Sequence, residues 1–267
     1  MSLSLRILGC GSSAGVPRIG GDWGQCDPNN PKNRRRRCSI LIRAQGPQGL
    51  TQVLVDTSPD LREQLLDAGT GHLDGVVFTH AHADHCHGID ELRTVYFNNH
   101  AKRVPVWMDK TASAKITSAF DYCFSTPAGS SYPPILEEHR IEALKPFEVA
   151  GPGGPVPFLG FEVEHGEIRA LGFRVGGMAY TPDVKDIPAE SLAALEGLDL
   201  WVIDALRRSQ HVSHFSLSDA LSWIGRMKPK RAIITNMHVD LDYETLRAEL
   251  PEHVVPAYDG MTVSFSS

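Results

Sequence analysis

Four of the twelve histidines in this chain fall between positions 80 and 87. The pattern H-x-H-x-D-H at positions 80–85 follows a short apolar run, 75–79, that has the character of a strand. Side chains two positions apart in an extended chain point the same way, so His80 and His82 can bind one cation. Asp84 and His85 follow where the chain turns, and they can face a second cation. Imidazole nitrogen is a common ligand of zinc, and a carboxylate can also bind manganese.

Strands and helices alternate along the whole chain and would position these residues. Patterns of apolar residues predict strands at 3–8, 38–44, 51–56, 75–79, 104–108, 156–164, 171–180, 200–204, 231–235 and 254–265. Helices are predicted at 59–68, 110–121, 188–196, 216–227 and 242–249. No internal repeat or linker divides this pattern. The sequence therefore predicts one α/β domain over residues 1–267.

The composition disfavours several classes of protein. The chain has 267 residues, of which 42% are hydrophobic and 22% charged, as in globular proteins. A formal charge of -6 disfavours a protein that binds extended nucleic acid over its surface. No apolar run approaches the roughly 18 to 20 residues that cross a bilayer. The five cysteines include no C-x-x-C pair, so we expect reduced thiols in a cytoplasmic protein.

Further motifs follow the histidine pattern along the chain. His165 lies in V-E-H-G-E, and Asp183 ends A-Y-T-P-D. The other motifs are L-G-C-G-S-S-A-G-V-P at 8–17, D-A-L-R at 204–207 and A-Y-D-G at 257–260. Together these motifs resemble the metallo-β-lactamase superfamily. Within it they resemble the phosphodiesterase branch typified by the phosphoribosyl cyclic phosphate phosphodiesterase of the carbon-phosphorus lyase pathway, over essentially the whole chain.

The resemblance implies a single domain with the four-layer αββα sandwich fold and two divalent metal ions, zinc or manganese. It implies that the metal ligands include His80, His82, Asp84, His85, His165 and Asp183, with Asp183 bridging the two ions. In this branch the last metal-binding histidine directly follows a threonine, but Thr235 is followed by Asn236. Positions 236 and 238 share one side of an extended chain, so we take His238 as the seventh ligand. The alternative is a second metal with fewer protein ligands.

Two metal ions would lower the pKa of a shared water and hold the oxygens of a phosphodiester. By resemblance, a histidine before the helix at 216–227 is the general acid. The register of that helix favours His214, which we assign as catalytic together with Asp84. His211 is assigned to phosphate binding, with helix capping or a simple hydrogen bond as the alternative. Ser12 and Ser13, in a Gly-rich turn, are assigned to substrate binding, with a plain turn as the alternative.

Two other groups of charged residues suggest supporting roles. Asp56 and Asp204 each end a predicted strand, and we expect them to orient histidines through hydrogen bonds. The basic run Arg34–Arg37 lies in the long Gly-rich segment 9–37. A solvated face is the favoured interpretation of this run, and steering of an anionic substrate is the alternative.

The sequence therefore predicts a metal-dependent phosphodiesterase that hydrolyses a small cyclic phosphate or a nucleotide-type phosphodiester. A thioesterase or lactonase of the same superfamily is the alternative enzyme. A nucleotide-binding protein with a degraded metal site is the non-enzymatic alternative. The expected partner is a small phosphorylated substrate, with a nucleotide as one candidate, and neither extended nucleic acid nor a membrane is expected. A homodimer is one assembly that the sequence allows.

Overall fold

The strands of the chain form two sheets of seven strands each within residues 2–267, the part that this computed structural model describes. In chain order, β1 to β14 span Ser2–Gly9, Ser39–Gly46, Gly49–Val55, Gly75–Val77, Val104–Met108, Leu136–Arg140, Pro146–Val149, Val156–His165, Ile168–Val175, Met178–Thr181, Leu200–Asp204, Arg231–Thr235, Val254–Pro256 and Thr262–Phe265.

Each sheet has an antiparallel half and a parallel half. The first sheet has the order β14-β1-β2-β3-β4-β5-β6, and its strands are parallel from β3 to β6. The second has the order β13-β12-β11-β10-β9-β8-β7, and its strands are parallel from β10 to β13. In open α/β sheets, ligands bind beyond the carboxyl ends of the parallel strands. We therefore expect a binding site among the residues at the carboxyl ends of β3, β4, β10 and β11.

Helices cover the outer faces of both sheets. In chain order, α1 to α7 span Leu61–Asp67, Ala83–Cys86, Leu92–Asn98, Lys110–Ala119, Asp121–Phe124, Leu217–Met227 and Tyr243–Glu249, and short 3-10 helices span Pro31–Asn33, Ile89–Glu91 and Ala189–Leu195. Apolar residues of α1, α3 and α4 pack on the first sheet, and those of α6 and α7 pack with the second. These four layers confirm the predicted αββα sandwich.

The core between the sheets arises from alternation along buried strands. In β2, Ile40 and Ile42 join the core shared by the two sheets, whereas Leu41 faces the helices on the other side. A strand covered on both faces reads as a continuous apolar run for this reason. Phe158 and Phe173 of the second sheet complete the central core, in contact at 5.9 Å between ring centroids.

Two of the predicted strands are in fact two strands each. The prediction 171–180 spans parts of β9 and β10, because the chain reverses at Gly176, whose φ of 53° suits glycine. The prediction 254–265 joins β13 of the second sheet to β14 of the first, with a turn at Gly260, where φ is 93°. Apolar residues on both sides of a tight turn hid the boundary in each case.

Smaller differences concern helices and sheet edges. The predicted helix 59–68 begins at Leu61, the helix 188–196 is a 3-10 helix, and the helix 110–121 is divided into α4 and α5. The sequence analysis missed β6 and β7, which are edge strands. Edge strands tolerate the charged residues of β6 and the proline that starts β7, so neither has the apolar pattern of a central strand.

The structure also bears on the cysteines and on membrane spans. All five cysteines are buried, and within residues 2–267 none of them is in a disulfide. Among residues 2–267, none of the helices combines the length and the apolar character that a bilayer-spanning helix needs.

Candidate metal centre

A cluster of three histidines and one aspartate lies where the two sheets meet at the carboxyl ends of their strands. His80 and His82 follow β4 of the first sheet, His165 ends β8 of the second, and Asp183 follows β10. One nitrogen or oxygen atom of each residue lies within 4.8 Å of those of the other three. Three imidazoles and a carboxylate at this spacing can hold a metal ion.

The two carboxylate oxygens of Asp183 face different groups. Oδ2 lies 3.3 Å from Nε2 of His165 and 3.5 Å from Nε2 of His80. Oδ1 lies 3.4 Å from Nε2 of His85, which in turn is 3.6 Å from Oδ2 of Asp84. Asp183 therefore borders two adjacent groups of side chains, the first position at His80 and His165 and the second position at Asp84 and His85.

Buried nitrogen atoms without partners support metal binding at both positions. Nε2 of His80 and Nε2 of His85 are inaccessible to solvent, and neither has a hydrogen-bond partner within residues 2–267. A buried polar atom that stays unpaired costs about 1–3 kcal/mol, so such atoms call for a ligand. The residues at both positions thus fit divalent metal ions.

The other ring nitrogen of most of these histidines is held by the protein. Such hydrogen bonds fix the tautomer and the direction of a metal-binding imidazole. The Nδ1 contacts are Thr79 Oγ1 at 3.0 Å for His80, Asp56 Oδ2 at 2.7 Å for His85, the Ser213 carbonyl at 2.7 Å for His165 and Asp204 Oδ2 at 2.8 Å for His214. The expected roles of Asp56 and Asp204 as partners of histidines agree with these contacts.

The charges around the cluster favour a cation. Burial lowers the pKa of His165, and burial together with the charge of His85 holds the pKa of His80 well below its usual range. These rings therefore stay neutral, as metal ligands must. Burial acts on His85 in the same sense, but the carboxylates of Asp183 and Asp56 outweigh it and hold its pKa well above the usual range. The carboxylates thus attract positive charge to this second position.

A cavity of about 280 Å³ opens onto the cluster. Beside five of the seven ligand candidates, its wall includes residues from both predicted substrate-binding segments: Ser12, Ser13, His211 and His214. The ring of His214 lies 4.6 Å from that of His165 and 5.2 Å from that of His211, measured between centroids. The structure therefore brings the predicted catalytic and substrate-binding residues to one cavity.

The loop before α6 fixes the position of His214. Ser216 caps α6, since its hydroxyl accepts from the N–H of Asp219 and the Asp219 carboxylate accepts from the N–H of Ser216. On the other side the loop packs against the turn after β8, where Gly166 has a φ of 63° and no room for a Cβ beside Ser213. His214 is therefore held between a helix cap and a tight turn.

Three of the seven predicted ligands lie outside the four-residue cluster. Asp84 and His85 form the group beside Oδ1 of Asp183, and the third is His238. It lines the cavity, but its ring nitrogens contact the Arg18 guanidinium and, at 3.3 Å, Oδ1 of Asp240. Asn236 lies beside Asp183 instead, with Nδ2 3.1 Å from Oδ1. The extended chain assumed for 236–238 is interrupted, because Asn236 has a left-handed φ of 60°.

The sequence analysis did not assign a role to Asn236. Its side chain is 2% exposed and contacts Asp183, Asp204 and His214. The available signal was its position directly after the apolar strand β12, at the same sheet edge as the other site residues.

The basic run Arg34–Arg37 is mostly not a solvated face, contrary to the favoured interpretation. Arg35 is 2% exposed, and its guanidinium donates to the carbonyl of Leu241 at 2.6 Å. Two others pair with acidic side chains: Arg36 with Asp67 and Asp259, and Arg37 with Asp60. These arginines therefore anchor the long first loop and leave little free charge for steering a substrate.

Three larger clefts lie away from the cluster. One of about 530 Å³ includes Trp107 and His139, one of about 580 Å³ lies along Arg34–Arg37, and one of about 470 Å³ includes Asp199 and Lys230. Among the described residues, none of the three clefts contains a group of side chains that could hold a metal ion. The chemistry of the side chains, and not the cleft volume, therefore identifies the candidate site.

Comparison with known proteins agrees with this geometry. One similar protein has a crystal structure described as that of a new diphosphatase from the PhnP family. Its sequence is 33% identical to this chain and its TM-score is 0.88, and the match covers 99% of this chain and 98% of that one. A zinc-bound PqqB from Methylobacterium extorquens has the same fold, with 18% identity and a TM-score of 0.71, over 97% of this chain and 99% of that one.

A curated relative is longer than this chain. An octanoyltransferase of Porphyromonas gingivalis is 32% identical over 260 residues, which cover 96% of this chain and 50% of that protein. This chain thus spans about half the length of that relative.

The family described as "Beta-lactamase superfamily domain" matches residues 51–237. This range contains the H-x-H-x-D-H pattern, His165, Asp183 and His214. The chain therefore belongs to the β-lactamase superfamily domain family, and it is a hydrolase with the metallo-β-lactamase fold.

Proposed function

We propose that the chain is a dinuclear metal-dependent phosphodiesterase that hydrolyses a small cyclic phosphate or nucleotide-type phosphodiester. One observation carries the proposal. The two oxygens of Asp183 face two adjacent sets of metal-binding side chains, and His214 lies at the edge of the same cavity. Two cation positions beside a proton donor suit the transfer of a phosphoryl group to water.

In the proposed site, His80, His82, His165 and Asp183 would hold one divalent ion, and Asp84, His85 and Asp183 would hold the second. When bound, the ions would polarise the phosphoryl oxygens and activate water at neutral pH. Asp56 and Thr79 orient His85 and His80 for this role.

His214 would protonate the leaving oxygen. Burial lowers its pKa, but the charge of Asp204 and the hydrogen bond to it outweigh burial and raise the pKa of His214 to about 9. The ring is therefore protonated at neutral pH, and its Nδ1 is held by Asp204 at 2.8 Å. Nε2 is left to donate a proton to a substrate in the cavity, as general acid catalysis requires.

Ser12, Ser13 and His211 would bind the phosphate from the other walls of the cavity. Ser12 supports this role because its buried hydroxyl has no hydrogen-bond partner among residues 2–267. His211 is engaged through Nδ1 with the hydroxyl of Ser213 at 3.2 Å, which leaves its Nε2 for a ligand. A cavity of about 280 Å³ suits a small substrate and not a folded nucleic acid.

The assay that tests this function compares classes of scissile bond. Protein loaded with zinc or with manganese is given bis-p-nitrophenyl phosphate, 2',3'-cyclic nucleotides and, because a similar protein is described as a diphosphatase, a diphosphate diester. A panel of acyl thioesters and lactones tests the alternative enzyme. We expect turnover with one or more of the phosphodiesters.

Two variants control for the site and for contaminating activity. His80→Ala removes a buried residue of the cluster, whereas His72→Ala changes an exposed histidine far from it. Phosphodiester turnover no higher in the wild type than in His80→Ala would contradict the proposal. Hydrolysis of thioesters or lactones alone would favour the alternative enzyme. Nucleotide binding without bound metal would favour the non-enzymatic alternative. The expected cytoplasmic location and homodimer stay predictions, for cell fractionation and light scattering to test.

A further inference from the structure

Asn236 contacts both the second metal position and the proton donor. Its Nδ2 lies 3.1 Å from Oδ1 of Asp183 and 3.2 Å from Oδ1 of Asp204. The same atom lies 3.2 Å from Nδ1 of His214. On the other side, Oδ1 of Asn236 faces the thiol of Cys38 at 3.8 Å.

The orientation of this amide follows from its surroundings. An NH₂ group can donate to two carboxylates, whereas an amide oxygen in the same place would face two carboxylate oxygens and be repelled. The thiol of Cys38 is a weak donor that suits the amide oxygen. Asn236 therefore donates to Asp183 and offers no nitrogen lone pair to a cation there.

The two cation positions consequently have different donor atoms. The first is bounded by three imidazoles and Oδ2 of Asp183: His80, His82 and His165. The second is bounded by one imidazole, that of His85, and by two carboxylates, those of Asp84 and Asp183. Imidazole-rich sites suit zinc, whereas sites rich in carboxylate oxygen suit manganese and magnesium.

His238, which the sequence suggested as a ligand, is already engaged. Its ring nitrogens contact the Arg18 guanidinium and Oδ1 of Asp240. The backbone at His238 is also fixed, because its N–H donates to the carbonyl of Leu206 at 2.9 Å. These contacts hold the His238 ring away from the position at His85, and Asn236 stands beside Asp183 there instead.

We propose that the two positions take different metals: zinc binds tightly among His80, His82, His165 and Asp183, and a harder ion such as manganese binds more weakly at Asp84, His85 and Asp183. Asn236 sets this difference, because it occupies the remaining side of the second position with an amide N–H. The proposal rests on the metal centre of the proposed function but not on its substrate.

Metal binding can be measured directly, without an activity assay. Protein stripped with a chelator is saturated with zinc, desalted and analysed for metal content by mass spectrometry. Manganese is then titrated into the zinc-loaded protein and followed by electron paramagnetic resonance. We expect one zinc per chain to survive desalting and one manganese to bind with an affinity at least about tenfold weaker.

Asn236→His tests the cause of the difference. An imidazole at this place adds a nitrogen donor, so the variant should retain two zinc ions per chain and bind manganese about tenfold less well. Asn98→His, an exposed asparagine at the end of α3, is the matched control and should behave as the wild type. If Asn236→His does not fold by circular dichroism, Asn236→Asp serves instead. Its added carboxylate should strengthen manganese binding and leave the zinc count at one.

Three results would overturn the proposal. They are two zinc ions retained by the wild type, unchanged metal content in a folded Asn236→His protein, and loss of the second ion in His238→Ala, which would make His238 its ligand. Absence of phosphodiester turnover from a protein that binds the two metals as described would contradict the proposed function and leave this inference standing.

Discussion

Asp56 supports two residues of the cluster with one carboxylate. Its Oδ2 accepts from the Oγ1 of Thr79 at 2.8 Å and from Nδ1 of His85 at 2.7 Å, and the Thr79 hydroxyl in turn contacts His80. The residue is fully buried and has a left-handed φ of 66°, which a non-glycine residue adopts at some cost. Strain that persists at such a position points to a functional constraint.

Replacing Asp56 with Asn should therefore weaken metal binding without removing a ligand. The neutral amide no longer stabilises the tautomer of His85 that directs Nε2 to the metal. Loss of such a partner typically lowers metal affinity about 10–100-fold. Zinc affinity measured against a chromogenic chelator tests this. Asp90→Asn, an exposed aspartate paired with Arg93, should leave the affinity unchanged. Equal affinities for wild type and Asp56→Asn would refute the role.

His214→Asn should lower turnover in a way that depends on the leaving group. A general acid contributes about 10²–10⁴-fold when the leaving alkoxide is poor. We expect a loss of this size with a 2',3'-cyclic nucleotide and a much smaller loss with a p-nitrophenyl ester, because nitrophenolate departs without a proton. The ratio of kcat values for the two substrates is the measurement. A similar loss with both would indicate that His214 does not donate the proton.

The pair of Asp204 and His214 predicts how activity varies with pH. Burial raises the pKa of Asp204 to about 6, although the charge of His214 acts against it, and the pKa of His214 is about 9. Between these values the carboxylate is charged and the imidazole carries its proton. The kcat of the metal-loaded enzyme should therefore fall below about pH 6 and above about pH 9.

Asp204→Asn tests the assignment of the alkaline limb. Without the carboxylate charge, which raises the pKa of His214, that limb should move to lower pH. Asp199→Asn, which alters an aspartate paired with Lys230 at the other end of the strand, should not move it. A limb that stays fixed in Asp204→Asn would show that another group titrates there.

Most of the site residues could be predicted because they follow strands in short motifs. The structure places His82, His165, Asp183 and His214 around one cavity, and buried His80 lies 3.5 Å from Asp183. His238 was chosen on the assumption of an extended chain from 236 to 238. The left-handed conformation of Asn236 breaks that alternation, and a single residue type does not reveal such a conformation.

At the scale of elements, the segment between β1 and β2 is the least regular part of the fold. Few of its residues belong to regular secondary structure, yet Arg35 joins it to the segment after β12. The guanidinium donates to the carbonyl of Leu241 at 2.6 Å, to the carbonyl of His238 at 3.3 Å and to Oδ1 of Asn33 at 3.2 Å. The sequence did not predict this buried contact of Arg35, because a run of arginines usually indicates a charged surface.

Arg35→Met should destabilise the protein substantially. The apolar side chain fills much of the same volume but leaves buried carbonyl oxygens unpaired, each at a cost of about 1–3 kcal/mol. We expect the free energy of unfolding in urea to fall by at least about 2 kcal/mol. The neighbouring Arg34→Ala should cost about 1 kcal/mol or less, because Arg34 is exposed and its guanidinium lies 5.6 Å from the centre of the Trp23 ring. Equal effects of the two changes would contradict the anchoring role.

At the scale of the whole molecule, the metal centre connects the two sheets. His80, His82 and His85 lie between β4 and β5 of the first sheet. His165 ends β8 of the second sheet, and Asp183 follows β10 of the same sheet. The sequence order of the motifs predicted a shared site, but which sheet carries each residue became clear only from the strand order. A metal ion held by His80, His82, His165 and Asp183 would connect the two layers.

Metal removal should therefore lower the thermal stability. An ion at 100 times its Kd stabilises the folded state by about 2.7 kcal/mol, which corresponds to a rise in Tm of several degrees for a chain of this size. Differential scanning fluorimetry of chelated protein, before and after zinc is restored, measures the shift. His165→Ala should abolish most of it, whereas His139→Ala, on the edge strand β6, should retain it. An unchanged shift in His165→Ala would show that zinc binds elsewhere.

The packing between the two sheets also bears on the choice of metal ion. The ligand atoms stand on opposite layers, so the packing of buried side chains between the layers helps to determine how far apart those atoms are. Protein cores resist compression, and metal ions of different radius need ligand distances that differ by only a few tenths of an ångström. A change of volume in the hydrophobic core can therefore alter selectivity for ions by size, even where every ligand is unchanged.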